Sequence, residues 1–168
     1  NKSFSLSLLI LLCTLANPFA AAKQFLPDAP NVDAKAWILV DANTGYVIAE
    51  QNADDTLPPA SLAKMMTTYI TSKEIAENRL KEDDLVVISD NAWELGGAKT
   101  DGSTMFLSPR SKVPVIDLMR GVIIQSGNDA AISLAEHISG GETAFSDNMN
   151  FQAELMGMTN IYYMNSTG

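Results

Sequence analysis

The chain has 168 residues, 46% of them hydrophobic, with 11 basic and 20 acidic side chains and a formal charge of −9. Such acidity excludes the broad cationic surface on which nucleic-acid binding depends. A single histidine, His137, and a single cysteine, Cys13, exclude a nitrogen- and sulfur-ligated zinc cage.

Residues 1–22 read as a secretory signal peptide. Lys2 precedes an apolar run from Phe4 to Ala16, and Ala20-Ala21-Ala22 offers a small-residue cleavage site before Lys23. The run is too short for a comfortable membrane span. Cys13 follows the bulky Leu12, where a lipidated cysteine follows a small residue, and reads as filler of the signal core. The sequence opens on Asn1 rather than Met, so it is expected to start incomplete. Removing this segment with Lys2 takes the formal charge from −9 to −10 and leaves 146 residues without a cysteine. That length supports one domain, 23–168, whose hydrophobic core holds without disulfides.

Residues 23–35 form an extended lead-in. Ala36–Val40 and Tyr46–Glu50 read as strands, joined by a turn in which Asn43 and Gly45 supply left-handed conformations. This hairpin is expected to be a sheet edge without chemistry. A polar loop over 51–60 ends in Pro58 and Pro59, and a helix is expected from Ser61 to about Asn78. Leu62, Met65, Met66, Tyr69 and Ile70 recur along it at the spacing of one buried face.

Leu85–Ile88 reads as a short strand, 89–104 with its three glycines as a long loop, and Met105–Leu107 as another short strand. Ser108-Pro109-Arg110-Ser111 has its proline where a type I turn wants it. Pro114 opens a second helix, Val115 to about Ile124. Residues 125–129 break it. A third helix buries Ala131, Ile132, Leu134, Ala135 and Ile138 and ends at Gly140-Gly141. A fourth, Glu142–Met156, is marked by Phe145, Met149 and Met156 and stops at Gly157. Tyr162–Met164 reads as extended.

If Ser61 sits in the first helical turn, Lys64 lies beside it one turn later. A hydroxyl next to an amine in a partly buried helix start is a nucleophile next to a base. Taken alone, the pair fits a capping serine and a solvated lysine better. Ser126-Gly127-Asn128 lies in a break between helices, where side chains can face a cleft, but taken alone it reads better as an ordinary turn. His137, beside Glu136 and far in sequence from any triad partner, is expected at the surface. Asp28, Asp54-Asp55 and Asp83-Asp84 lack calcium-loop spacing. Asn165-Ser166-Thr167 fits the common glycosylation pattern and carries no further meaning.

Together, Ser61-x-x-Lys64 and Ser126-x-Asn128 resemble two signatures of the penicillin-binding protein and serine β-lactamase superfamily, S-x-x-K and S-x-N. With the flanks Pro59–Thr67 and Gly121–Ala130, the chain closely resembles the low-molecular-mass D-alanyl-D-alanine carboxypeptidases, whose order of elements it follows from about residue 34. The resemblance implies an α/β (α+β) fold of β-lactamase/transpeptidase type: an antiparallel sheet packed by helices, with a helical subdomain carrying the motifs. It implies removal of the terminal D-alanine from peptidoglycan stem peptides in the bacterial periplasm. β-Lactams would be covalent inhibitors, no metal or organic cofactor would be needed, and nucleic acid would not be a partner.

In the roles so implied, Ser61 is the acylated nucleophile, Lys64 the proton acceptor, Ser126 a proton relay and Asn128 an orienting residue. Lys64 must then be neutral, about three units below a lysine's ordinary 10.4, or roughly 4 kcal/mol. The third signature, K-T-G, has no counterpart, since Ser166-Thr167-Gly168 matches only its last two letters. The chain is therefore expected to be an N-terminal part of a longer enzyme. Its later strands would complete the sheet, and a C-terminal region would attach it to the inner membrane. A D,D-endopeptidase would use the same residues. A β-lactamase is disfavoured because 159–168 contains no acidic residue for deacylation, and a silent wall-binding module is disfavoured by the four intact residues.

Overall fold

Trp37–Val40 (β1) and Val47–Gln51 (β2) pair antiparallel, Trp37 opposite Gln51, as their sequence pattern predicts. The Asp41 carboxylate shapes the turn between them, accepting from the Thr44 amide at 2.8 Å and the Thr44 hydroxyl at 2.7 Å. Such an Asx-type bond is why Asp opens turns of this kind. A register shift between Leu39 and Val40 accommodates the loop. The hairpin belongs to the first of two compact units, which divide between Asp55 and Thr56. The computed structural model describes residues 28–97 and 99–168, so the expected signal peptide lies outside the described residues.

The second unit begins with a 3-10 turn, Ala60–Ala63, which runs into helix α1, Lys64–Ala76. Strand β3 (Leu85–Val87) pairs antiparallel with β4 (Lys112–Pro114), Val86 opposite Val113. Between them lies helix α2, Asp90–Gly96. Helices α3 (Val115–Gln125), α4 (Asn128–Ser139) and α5 (Glu142–Leu155) follow.

Helix α4 is the centre of this unit. Asp129 through Ala135 are all buried, so the helix is enclosed on every side rather than along one stripe. Ala130, Ala131, Ile132 and Leu134 join Val86, Ile88, Ala92, Val115, Leu118 and Val122 in one core. Ala135 joins Ala63, Met66, Ile70, Phe145, Met149 and Ala153 in a second. The alanines allow helices to close on α4 from both sides, and the two cores share Ile138 at their margin.

Several expected elements differ. The loop expected over 89–104 contains α2, whose start is capped by the Ser89 hydroxyl accepting from the Ala92 amide at 2.8 Å. Met105–Leu107 joins no sheet, because its amides are taken up by a side chain, Asp129. The Ser108–Ser111 turn has Arg110 at φ +65°, which is the type II rather than the type I conformation. Tyr162–Met164 is not paired in a ladder either, and Met156 is exposed just beyond the end of α5.

Helix α1 also turns a different face inward. Ala63, Lys64, Met66, Thr67, Ile70 and Thr71 are buried, whereas Leu62 and Met65 are 69% and 70% exposed and Tyr69 is exposed as well. The buried positions 63, 66, 67, 70 and 71 keep helical spacing, but the buried stripe is centred on Thr67 and Ile70 rather than on Met65 and Tyr69. The exposed three line an apolar groove with Pro59, Met156 and Met158.

Candidate active site

Ser61 is not a helix cap, as one sequence reading allowed; it lies inside the 3-10 turn, and no side chain caps that turn or α1. In a 3-10 turn, residues three apart eclipse one another. Lys64 therefore stands over Ser61, and its Nζ donates to Ser61 Oγ at 3.0 Å. The turn is entered through Ala60 at φ +46°, an uncommon conformation for a residue with a Cβ.

Ser126 approaches from the other side. It ends α3 in the left-handed region, φ +56°, while the Gly127 amide closes the helix on the Gly121 carbonyl at 3.1 Å. This reversal lets Lys64 Nζ reach Ser126 Oγ at 3.2 Å across 62 residues of sequence. Ser61, Lys64 and Ser126 thus converge on one amine.

Asn128 does not join them. It is the first residue of α4, its amide donates to the Ser103 carbonyl at 2.8 Å, and its side-chain nitrogen lies against Gly102. Among the described residues it makes no hydrogen bond with the other three.

The three residues, with Met65, Thr68 and Val122, line an open cleft of about 300 Å³. Lys64 is only 5% exposed, and burial pushes its ammonium below the ordinary lysine value of 10.5. No acidic side chain lies within ion-pair distance of it among the described residues to oppose that shift.

Sequence reasoning missed the groups that seat α1. Thr67, one turn past Lys64, donates through Oγ1 to the Ser166 carbonyl at 2.7 Å. Ser166 is itself fully buried and donates to Glu142 through its amide at 3.1 Å and its hydroxyl at 2.6 Å. The readable signal was Thr67 and Thr71 on the same face as Ile70: two hydroxyls on an inward face require partners. His137 is exposed, as expected.

An amine shared between two serine hydroxyls, on this arrangement of helices, defines a class, and solved structures identify it. Penicillin binding protein 5 from Haemophilus influenzae superposes with a TM-score of 0.79 at 38% identity, covering 85% of this chain and 41% of that one. Penicillin-Binding Protein D2 from Listeria monocytogenes in its ampicillin-bound form gives 0.70 at 27% identity, over 83% and 55%. The fold is that of the penicillin-binding proteins. The sequence profile described as D-alanyl-D-alanine carboxypeptidase, peptidase S11, matches residues 23–168, and the chain belongs to that family. It is 44% identical over 152 residues to the D-alanyl-D-alanine carboxypeptidase DacC of Escherichia coli K12, which covers 90% of this chain and 38% of that protein. The chain thus spans about two fifths of the length of the curated relatives it matches.

Proposed function

We propose that this chain supplies the nucleophile half of a serine D-alanyl-D-alanine carboxypeptidase. The observation that carries the reading is the position of Lys64 Nζ, 3.0 Å from Ser61 Oγ and 3.2 Å from Ser126 Oγ. As a neutral amine, Lys64 takes the Ser61 proton while Oγ attacks the carbonyl of the terminal peptide bond. The Ser61 backbone N–H, at the start of the turn, donates to the oxyanion. Collapse of the tetrahedral intermediate breaks the C–N bond. The proton held on Lys64 passes through the Ser126 hydroxyl to the departing D-alanine amine. Water then attacks the ester, gives up a proton along the same path, and releases the shortened peptide with Ser61 restored.

Burial supports this assignment, because it disfavours the charged form of Lys64 and so keeps a base available. Asn128, at the mouth of α4, orients the peptide rather than the lysine. A cation on a later strand, the lysine of the K-T-G signature, holds the substrate's terminal carboxylate. In this reading the protein is exported, acts on peptidoglycan stem peptides in the periplasm, and is attached to the inner membrane through a C-terminal region. β-Lactams acylate the same serine.

Full-length protein should be labelled by a fluorescent penicillin and should release D-alanine from a D-Ala-D-Ala peptide. Ser61→Ala should abolish both with its melting temperature nearly unchanged. Labelling that persists on another serine would overturn the assignment.

A further inference from the structure

The structure assigns Asp129 as the residue that positions the Ser126-Gly127-Asn128 turn, by gathering the backbone of 104–107 around its carboxylate. Asp129 is fully buried at the start of α4. Its Oδ1 accepts from the amides of Met105 at 2.8 Å and Ala130 at 2.9 Å. Its Oδ2 accepts from the Thr104 hydroxyl and the Leu107 amide, both at 2.9 Å. Three of these four donors are backbone N–H groups, which cannot accept, so each oxygen must accept from at least one of them, as a carboxylate does.

The wrapped segment departs from relaxed backbone. Phe106, between the two amides that bind Asp129, sits at φ +59° with its side chain turned outward, 73% exposed. Its own amide is held by the Thr104 hydroxyl at 3.1 Å. A bulky residue in this region is strained and persists only where its surroundings enforce it. Here the enforcing group is the Asp129 carboxylate.

The same carboxylate bears on the catalytic turn. A Cβ on Gly127 would lie 3.1 Å from Asp129 Oδ1 and 3.2 Å from the Met105 amide nitrogen. The turn therefore rests directly on the wrapped segment. On its far side, the Asn128 amide is tied to Ser103 at 2.8 Å. With the two residues that follow it fixed, Ser126 is held in the left-handed conformation that brings Oγ to Lys64. Asp129 touches none of the reacting atoms and acts through Gly127 and the 103–107 segment.

This inference rests on the proposed acylation of Ser61, and the test separates the two. Full-length wild type, Asp129→Asn and Thr104→Val are mixed with a fluorescent penicillin, and the acylation rate constant, the precovalent affinity and the labelled fraction are measured separately. Whichever way its amide is turned, Asn places an NH₂ against at least one backbone N–H that cannot accept. Its acylation rate constant should fall roughly tenfold or more, as expected when a reacting group is misplaced. Precovalent affinity should change by less than about threefold, since little of the binding surface is lost. Thr104→Val removes two bonds, the one to Asp129 and the one from the Phe106 amide, and should slow acylation by about threefold. Amide exchange at Met105 and Leu107 should quicken in Asp129→Asn. A wild type that is not labelled sinks the acylation reading itself. A labelled wild type matched in rate constant by Asp129→Asn overturns the role of Asp129. If Asp129→Asn does not fold, a wild-type rate constant in Thr104→Val overturns it instead.

Discussion

The Thr67 hydroxyl and the Ser166 carbonyl, 99 residues apart in sequence, form a 2.7 Å hydrogen bond in the buried space behind Lys64. Thr67→Val keeps the shape of the side chain and removes the donor, leaving a buried carbonyl unpaired. The expected cost is about 1–3 kcal/mol. Urea unfolding of the full-length variant checks this, and a midpoint equal to wild type would show that the bond is dispensable.

Glu142 should tolerate glutamine and not alanine. Its two oxygens accept from the Ser166 amide and hydroxyl. The serine hydroxyl can turn to accept from a glutamine NH₂, so Glu142→Gln keeps both bonds and loses only the favourable charge at a helix start, roughly 0.3–1 kcal/mol. Glu142→Ala leaves the buried Ser166 without either partner and should cost about 1–3 kcal/mol. Equal losses in the two variants would contradict the geometry.

Lys64→Arg preserves the cation but cannot give up a proton at working pH. Acylation by a β-lactam should fall by about two to four orders of magnitude, the usual worth of a general base. A rate near wild type would make Lys64 a structural cation.

The lowered Lys64 value has a signed consequence for stability. Above its folded-state pKa the folded chain has released a proton that the unfolded chain still binds, up to the ordinary lysine value of 10.5. Stability from this group therefore rises with pH across that window, and the penalty of a buried ammonium is fully present below it. Acylation should climb with pH over the lower edge of the same window. Urea unfolding at stepped pH should show a slope that Lys64→Met removes, and identical slopes in the two proteins would refute the shift.

Gly96→Ala should loosen the contact between α2 and α4. A Cβ there would run into the backbone of Asn128 and Asp129, and backbone cannot give way as a flexible side chain can. Overpacking of this kind costs about 1–3 kcal/mol. A melting temperature equal to wild type would show that α2 moves freely.

What the sequence made legible was set by local chemistry. The hairpin turn, the helix stops at Gly140 and Gly157, and the Ser61–Lys64 pairing each depend on residues within a few positions of one another. The joining of Lys64 to Ser126 was legible only through resemblance, because nothing in either segment specifies a partner 62 residues away. Helix α2 was masked by Gly96 and Gly97, although Ser89 and Asp90 carry an ordinary start signal. Met105–Leu107 has strand composition and forms no ladder, because a distant carboxylate captures its amides. The inward face of α1 was misjudged because it buries Lys64, Thr67 and Thr71, polar residues that an apolar pattern passes over.

Ser126 gives the protein a built-in limit on heat tolerance. At φ +56° a residue with a side chain gives up roughly 1–2 kcal/mol that glycine would retain. Selection for thermal endurance alone would exchange it for glycine, and the tougher protein would have lost the hydroxyl that faces Lys64. An engineer ranking substitutions by melting temperature would find Ser126→Gly attractive for the same reason. A screen that couples heating to penicillin labelling would keep the serine.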